Sequence, residues 1–240
     1  SNVINTATLF SATSRLNAAT RTLVYESRML DKRMLNRSAI ANPAVGVNSS
    51  TNSPAEGFDY IEKTAIFRLS VNADGIDLTN TTNINGEKLG TVTLTDILPE
   101  GWEFVDIVTG SKYLIFEGAT GQTNVTALDT TPDTVVDLIA NISGRNATFT
   151  FPTLNKPYVI LVKARVNDAT AIDYFRTNQS ATVPRNRVDL STDNWSTGIN
   201  RTQDISINST VLSKTNSRPT AGELLWTVNY TPFGVSLDVD

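Results

Sequence analysis

The 240-residue chain has no cysteine and no histidine. Without cysteine there is no disulfide, no thiolate nucleophile, no zinc knuckle and no iron–sulfur cluster. Without histidine there is no imidazole acid–base group, no serine–histidine triad and no histidine metal ligand. Long hydrophobic runs are missing too, and a membrane-spanning helix needs about 18 consecutive apolar residues. The opening Ser1-Asn2-Val3-Ile4 carries neither the basic nor the apolar part of a secretory leader, as would also hold for a chain from which one had been removed. Positive charge is scarce: 20 Lys and Arg face 24 Asp and Glu, a net −4, which argues against a nucleic-acid partner. Any covalent staple in an exported form of this chain must therefore use chemistry other than a disulfide.

What remains is a chain with 40% hydrophobic residues, enough for a core, and a texture of Thr, Asn, Ser, Val and Ile. Thr and Val favour half-buried strands, while Asn, Ser and Gly favour turns. Apolar residues alternate in Phe67-Arg68-Leu69-Ser70-Val71, in Thr91-Val92-Thr93-Leu94-Thr95-Asp96-Ile97 and in Ala147-Thr148-Phe149-Thr150-Phe151. Tyr158-Val159-Ile160-Leu161-Val162 is nearly continuous, as expected of a central strand. Turns are expected at Ala73-Asp74-Gly75, Asn85-Gly86, Pro99-Glu100-Gly101 and from Gly118 to Gly121. Pro132 to Ile142 fits a strand or a single helical turn. The expected fold is an all-β, antiparallel sandwich. The polar stretch 37–57 is expected as a long loop, either a surface insertion or a binding or packing loop.

The two ends repeat the interior. Val3-Ile4-Asn5-Thr6-Ala7-Thr8-Leu9 matches Val183-Pro184-Arg185-Asn186-Arg187-Val188-Asp189-Leu190 in having Leu four residues after Asn. Asn5 and Asn186 are 181 apart (186 − 5), and Lys32 and Lys214 are 182 apart (214 − 32). An alternating strand follows each lysine: Phe67 to Asn72 after the first, Leu225 to Tyr230 after the second. The expected organisation is the last strand of a preceding repeat in 1–19, a complete sandwich repeat in 20–200, and the first strands of a following repeat in 201–240. The end fragments are expected to pair, within or between molecules.

Three polar residues of the complete repeat hold telling places: Lys32 on the first strand, Asp96 in Thr95-Asp96-Ile97-Leu98-Pro99-Glu100-Gly101, and Asn186 on the last strand. First and last strands of a sandwich commonly lie side by side, which would let Lys32 meet Asn186. The Asp-x-Leu-Pro-x-Gly segment, the Asn5-Thr6-Ala7 strand and Leu225-Trp226-Thr227-Val228-Asn229-Tyr230 together resemble the repeat domains of Gram-positive surface proteins and pilins, with the immunoglobulin-like sandwich of collagen adhesins. The likeness covers most of 20–192; Arg187-Val188 after Asn186, in place of Thr-Ala, and the long 37–57 stretch depart from it. The resemblance implies an intramolecular amide between the Lys32 amine and the Asn186 side chain, with Asp96 as proton shuttle, formed once per molecule rather than by enzymatic turnover. Burial would favour the neutral amine and the protonated carboxyl that this step needs. Asn5 and Lys214 would be the corresponding, unpaired residues of neighbouring repeats.

The same resemblance implies an extracellular stalk or spacer, anchored to the cell wall through a region outside this chain, with neighbouring repeats of the same polypeptide as partners. No cofactor and no metal are expected. An alternative is an adhesin domain binding host matrix protein or glycan through 37–57 or the sheet face around Lys112 to Thr126. A glycan-active enzyme is a third reading, without a paired-carboxylate motif to support it. Leu98-Pro99-Glu100-Gly101 reads as a turn rather than a sorting signal, and Asn72-Ala73-Asp74-Gly75-Ile76-Asp77 as a hairpin turn rather than a calcium loop. Trp102, Trp195 and Trp226 read as packing residues, and the sequons at Asn36, Asn141 and Asn194 as products of composition.

Overall fold

The computed structural model describes residues 2–11, 14–24, 29–83, 85–120, 125–133, 137–177, 183–207 and 212–230. Its body is an antiparallel β-sandwich. The first sheet contains β3 (Leu30–Leu35), β4 (Ser50–Thr51), β5 (Phe58–Asp59), β6 (Thr64–Val71), β8 (Trp102–Val105), β9 (Tyr113–Glu117) and β12 (Tyr158–Val166), with the central order β4-β3-β6-β12. β8 and β9 share one edge of β12, and β5 pairs with β6. The second sheet runs β10-β11-β7-β13-β14, built from β7 (Val92–Ile97), β10 (Ile139–Ser143), β11 (Asn146–Phe151), β13 (Arg185–Thr192) and β14 (Trp195–Asp204).

Alternation builds the core. Ala65, Phe67, Leu69 and Val71 of β6 and Ile160, Val162, Ala164 and Val166 of β12 point between the sheets, where they meet Val92, Leu94, Phe149, Phe151, Val188 and Leu190. The odd-numbered partners on β12, Val159 and Leu161, are buried as well, on the other face of the same sheet. There they form a second core with Leu35, Ile40, Val47, Ile66, Phe116 and Val125. That explains why the Tyr158–Val162 run is continuous rather than alternating.

The segment 37–57 is the roof of this second core and not a separable surface insertion. It opens with the 3-10 turn Arg37–Ala39 and supplies Ala39, Ile40 and Val47 to the packing. Asn48 locks it laterally: its side-chain amide donates to the Ala127 carbonyl at 3.1 Å and accepts from the Ala127 N–H at 2.9 Å. Beneath lies Arg68, 1% exposed, which donates to the carbonyls of Val47 (2.8 Å) and Val125 and to Ser70 Oγ (2.7 Å). Desolvation lowers its pKa to about 10.

One helix was not anticipated: α1 (Asp168–Thr177). Asn167 caps it by accepting from the Thr170 N–H at 2.9 Å, Asp168 sits in its first turn, and Ala171 and Tyr174 turn to the core. Trp102, buried as expected, donates its indole N–H to Tyr174 Oη at 2.9 Å. Of the ambiguous stretch 132–142, residues 139–142 are strand and 134–136 lie outside the described residues. Residues 121–124 of the Lys112–Thr126 face also lie outside them.

Both chain ends form separate hairpins, β1 (Asn2–Ser11) with β2 (Ser14–Val24) and β15 (Leu212–Ser217) with β16 (Leu225–Tyr230). Within the chain no strand pairing joins the described strands of one end fragment to those of the other. The expected boundaries at 19/20 and 200/201 cut through β2 and β14.

Candidate functional site

Each of the three polar candidates occupies an inward position of its strand. On β3 the buried face is Leu30, Lys32, Met34; on β7 it is Val92, Leu94, Asp96; on β13 it is Asn186, Val188, Leu190. Period-two alternation thus forces a lysine, an aspartate and an asparagine into the core wherever the neighbouring apolar residues go. Asp96 extends the apolar face of Val92 and Leu94 itself, rather than standing opposite to it.

Lys32 and Asn186 do not lie on paired strands. β3 belongs to the first sheet and β13 to the second, so the site bridges the sandwich. Asp96 and Asn186 share a sheet: Asp96 is paired with Val188, two residues along β13 from Asn186. They are diagonal neighbours on one face, a separation that side chains can span.

Lys32 Nζ donates to Asp96 Oδ1 at 2.7 Å, and neither side chain has any exposed surface. Lys32 Nζ also stands 4.9 Å from the centre of the Phe67 ring. Asn186 is fully buried and lies near enough to act on the Asp96 carboxyl, yet its Nδ2 and Oδ1 both lack a hydrogen-bond partner, as does Asp96 Oδ2. Among the described residues five buried side-chain polar atoms are orphaned, and three of the five belong to this one cluster. An unsatisfied buried polar group costs about 1–3 kcal/mol, and a buried ion pair rarely recovers its desolvation. As a stability device the arrangement is poor.

As a reactive site it is coherent. Burial lowers the Lys32 pKa, against the opposing pull of Asp96, and burial raises the Asp96 pKa, against Lys32 and Asn186. Both shifts favour a neutral amine beside a neutral carboxylic acid. A neutral amine is a nucleophile. A protonated carboxyl next to an amide can polarise its carbonyl and deliver a proton to the departing nitrogen. The low-dielectric surroundings exclude water, the competing nucleophile.

The remaining sequence candidates fall elsewhere. Asn5 lies on β1 opposite Arg21, and Lys214 on β15, exposed, with Nζ 4.3 Å from the Trp226 ring centre. Residues 72–77 make a turn in which Asn72 has φ +56° and donates from Nδ2 to the Ile76 carbonyl at 2.8 Å. No group of three or more acidic residues that could hold a metal ion occurs among the described residues. No described helix is long and apolar enough to cross a membrane. Arg68 and Phe67 were not singled out from the sequence, because an arginine inside the alternating Phe67-Arg68-Leu69 strand reads as facing water.

No protein-family model and no curated protein matches the chain. Among solved structures it is similar to the C-terminal domain of the AgI/II polypeptide BspA of Streptococcus agalactiae, at 10% identity and TM-score 0.43, over 81% of this chain and 54% of that one. It is also similar to the collagen binding domain of the surface protein RspB of Erysipelothrix rhusiopathiae, at 8% identity and TM-score 0.37, over 86% and 58%. Domains D2 and D3 of the major pilin SpaD of Corynebacterium diphtheriae align at 14% identity and TM-score 0.34, over 82% and 58%. The chain thus spans little more than half the length of these structures. Likenesses this distant assign it neither a family nor an activity.

Proposed function

We propose that this chain is a structural module of a bacterial surface protein, in which Lys32 and Asn186 become joined by an amide bond with Asp96 as proton carrier. The observation that carries the reading is the cluster itself: a lysine, an aspartate and an asparagine sealed between two sheets, with three of their polar atoms unsatisfied. Neutral Lys32 Nζ attacks Asn186 Cγ, while Asp96 donates its proton to the amide oxygen. The carboxylate then takes a proton from the attacking nitrogen, and the acid so formed passes a proton to Asn186 Nδ2. The C–N bond to Nδ2 breaks and ammonia leaves as the hydroxyl proton returns to the Asp96 carboxylate, so that Lys32 and Asn186 share a secondary amide and Asp96 ends as the acid it began. Atoms balance as amine plus primary amide giving secondary amide plus ammonia, with no oxidant, metal or cofactor. Holding the reacting groups on rigid strands supplies the proximity that accelerates such steps by about 7–11 kcal/mol.

The bond ties β3 in one sheet to β13 in the other and closes a covalent ring over residues 32–186. A pulling force applied at the ends of the sandwich then runs through the bond and leaves the ring folded. That behaviour suits a stalk or spacer in a tandem array on the cell surface, with β1–β2 as the closing strands of one repeat and β15–β16 as the opening strands of another. For the alternative, an adhesin face, the described residues offer a polar-lined depression at Ile61, Glu62, Lys63, Arg165, Asn167 and Asp168, which neither 37–57 nor 112–126 lines. Single-molecule stretching of residues 29–207 between fixed handles tests the proposal. Only about 20 residues lie outside the ring, so the expected release is about 80 Å; an uncross-linked module would release about 600 Å at roughly 3.5 Å per residue. The longer release would overturn it.

A further inference from the structure

We infer that the hairpin β15–β16 is a docking face for the hairpin β1–β2 of a second copy of this chain, so that copies join head to tail. The inference rests on the repeat reading above and is independent of whether Lys32 and Asn186 become linked.

The chain shows what a face of this kind is covered by, because it contains the same construction twice. β15–β16 reproduces β3–β6. In the interior pair, Lys32 is opposite Leu69, Met34 is opposite Phe67, and Lys32 Nζ lies over the Phe67 ring. In the terminal pair, Lys214 is opposite Val228, Asn216 is opposite Trp226, and Lys214 Nζ lies over the Trp226 ring. The cation–ring contact thus recurs on the same diagonal, two residues along each strand. This register equates Phe67 with Trp226 and Leu69 with Val228, one residue from the alignment of Phe67 with Leu225 expected on sequence.

The other terminal hairpin has the layout of β13–β14 with its main register one residue apart: Asn5 is opposite Arg21, and Asn186 is opposite Gln203 rather than Thr202. β1–β2 and β13–β14 are both antiparallel, with strands starting at Ser14 and Trp195, again 181 apart (195 − 14). Each pair carries a bulge immediately after the leucine that follows its asparagine by four residues, at Leu9/Phe10 in one and at Leu190/Thr192 in the other. A shared bulge position is a feature of local geometry that similar composition alone does not produce.

In the sandwich the inner face of β3–β6 is covered by the sheet containing β13–β14, with Phe67, Leu69, Val188 and Leu190 in one core and β14 packed beside β3. In β15–β16 the equivalent positions lie open: Trp226 is 49% and Val228 58% exposed, on the same face as Lys214. Lone two-stranded hairpins are marginal in water. The closing hairpin that fits this face is the one at the other end of the same sequence. Because the two surfaces differ, each contact is heterologous, and head-to-tail joining propagates into chains or closes into rings, of which the reciprocal pair is the smallest.

Analytical ultracentrifugation of the full chain from about 1 µM to about 1 mM tests this. The weight-average mass is expected to climb continuously above the 26.1 kDa of one copy. Trp226→Ser spoils one face and Leu9→Glu, at the position equivalent to Leu190, spoils the other, so each variant alone is expected at 26.1 kDa. Mixed in equal amounts they retain one good junction and are expected to form a complex of twice that mass and nothing larger. Trp226 is exposed and Leu9 lies outside the sandwich, and the near-ultraviolet spectrum reports that the sandwich persists in both. The inference is overturned if the wild-type chain stays at the mass of one copy throughout, including the case where Trp226 is shielded from an aqueous quencher because the hairpin folds back on its own molecule. It is also overturned if either variant associates like the wild type, or if the mixture remains monomeric.

Discussion

Replacing Asn186 by leucine gives opposite results according to whether the amide forms. Asn186 faces the core on the same strand face as Val188 and Leu190, and both polar atoms of its carboxamide are orphaned. If it is simply an asparagine, Asn186→Leu removes two unsatisfied groups, each costing about 1–3 kcal/mol, and puts apolar atoms in the same branched arrangement. The variant should then be as stable as the parent or more so. If it is one end of a cross-link, the variant opens a ring of about 155 residues, and the loss of constraint on the unfolded chain is about 5 kcal/mol. For a module of this size each kcal/mol moves the midpoint by about 2–4 °C, so Tm should fall by about 10–20 °C. Differential scanning calorimetry reads the difference directly. In the cross-linked parent Nδ2 has already left as ammonia, so the substitution removes at most one orphaned atom, about 1–3 kcal/mol, which offsets part of the fall without reversing its sign. A Tm that is unchanged or raised in Asn186→Leu refutes the reasoning, whatever the explanation of the cluster.

Further predictions follow from the same geometry. Asp96→Asn keeps the shape of the side chain but cannot carry a proton; cross-linking should slow by about 10²–10⁴, read as the accumulation of uncondensed protein by intact mass. In Asn186→Ala, which keeps Lys32 and Asp96 free to titrate, the directions of their shifts fix the pH profile. The folded Asp96 pKa is raised, so stability falls as pH rises from the ordinary 3.8; the folded Lys32 pKa is lowered, so stability recovers as pH approaches the ordinary 10.5. On the proposed cross-link the Lys32 nitrogen of the parent would be an amide that cannot titrate, so the alkaline recovery should be missing from its denaturant midpoints. Arg68→Lys should destabilise by about 3 kcal/mol, because an ammonium cannot serve the Val47 and Val125 carbonyls and Ser70 together; hydrogen exchange should show the loss centred on 36–57 and 125–127. Gly101→Ala should cost more than 2 kcal/mol by urea unfolding, since Gly101 has φ +76° and an added Cβ would meet Thr170 Oγ1 at 1.9 Å.

The layout of the sandwich was legible in the sequence wherever burial is one-sided. Val92-Thr93-Leu94 and Ala147-Thr148-Phe149 declare their faces by alternation, and Gly101 declares its turn. Where both faces are buried, alternation vanishes and its message with it. The β6 strand, buried throughout from Thr64 to Val71, looked like an ordinary half-buried strand with Arg68 and Ser70 turned to water. In fact they are turned to a second core roofed by 37–57, whose polar composition hides the few apolar residues, Ala39, Ile40 and Val47, that do the packing. Deleting that segment would therefore strip a core, not trim a surface loop. Substitution of its exposed Val45 is the usable probe of an adhesive role.

The site was legible for a different reason. Lys32, Asp96 and Asn186 each sit at a position that strand parity turns inward, so three polar residues had to share the interior. That they meet across the two sheets, rather than on adjoining strands, depends on how the sheets stack, and nothing local to any of the three strands encodes it. Helix α1 was missed because only ten residues separate its capping Asn167 from its end at Thr177, too few for a periodic pattern to stand out.

The most direct test of the central claim is the intact mass of the purified chain beside that of Lys32→Ala. The account predicts a deficit of one ammonia, about 17 Da, in the parent and none in the variant, with residues 32 and 186 recovered in one branched peptide after digestion. A parent at its full theoretical mass would contradict it.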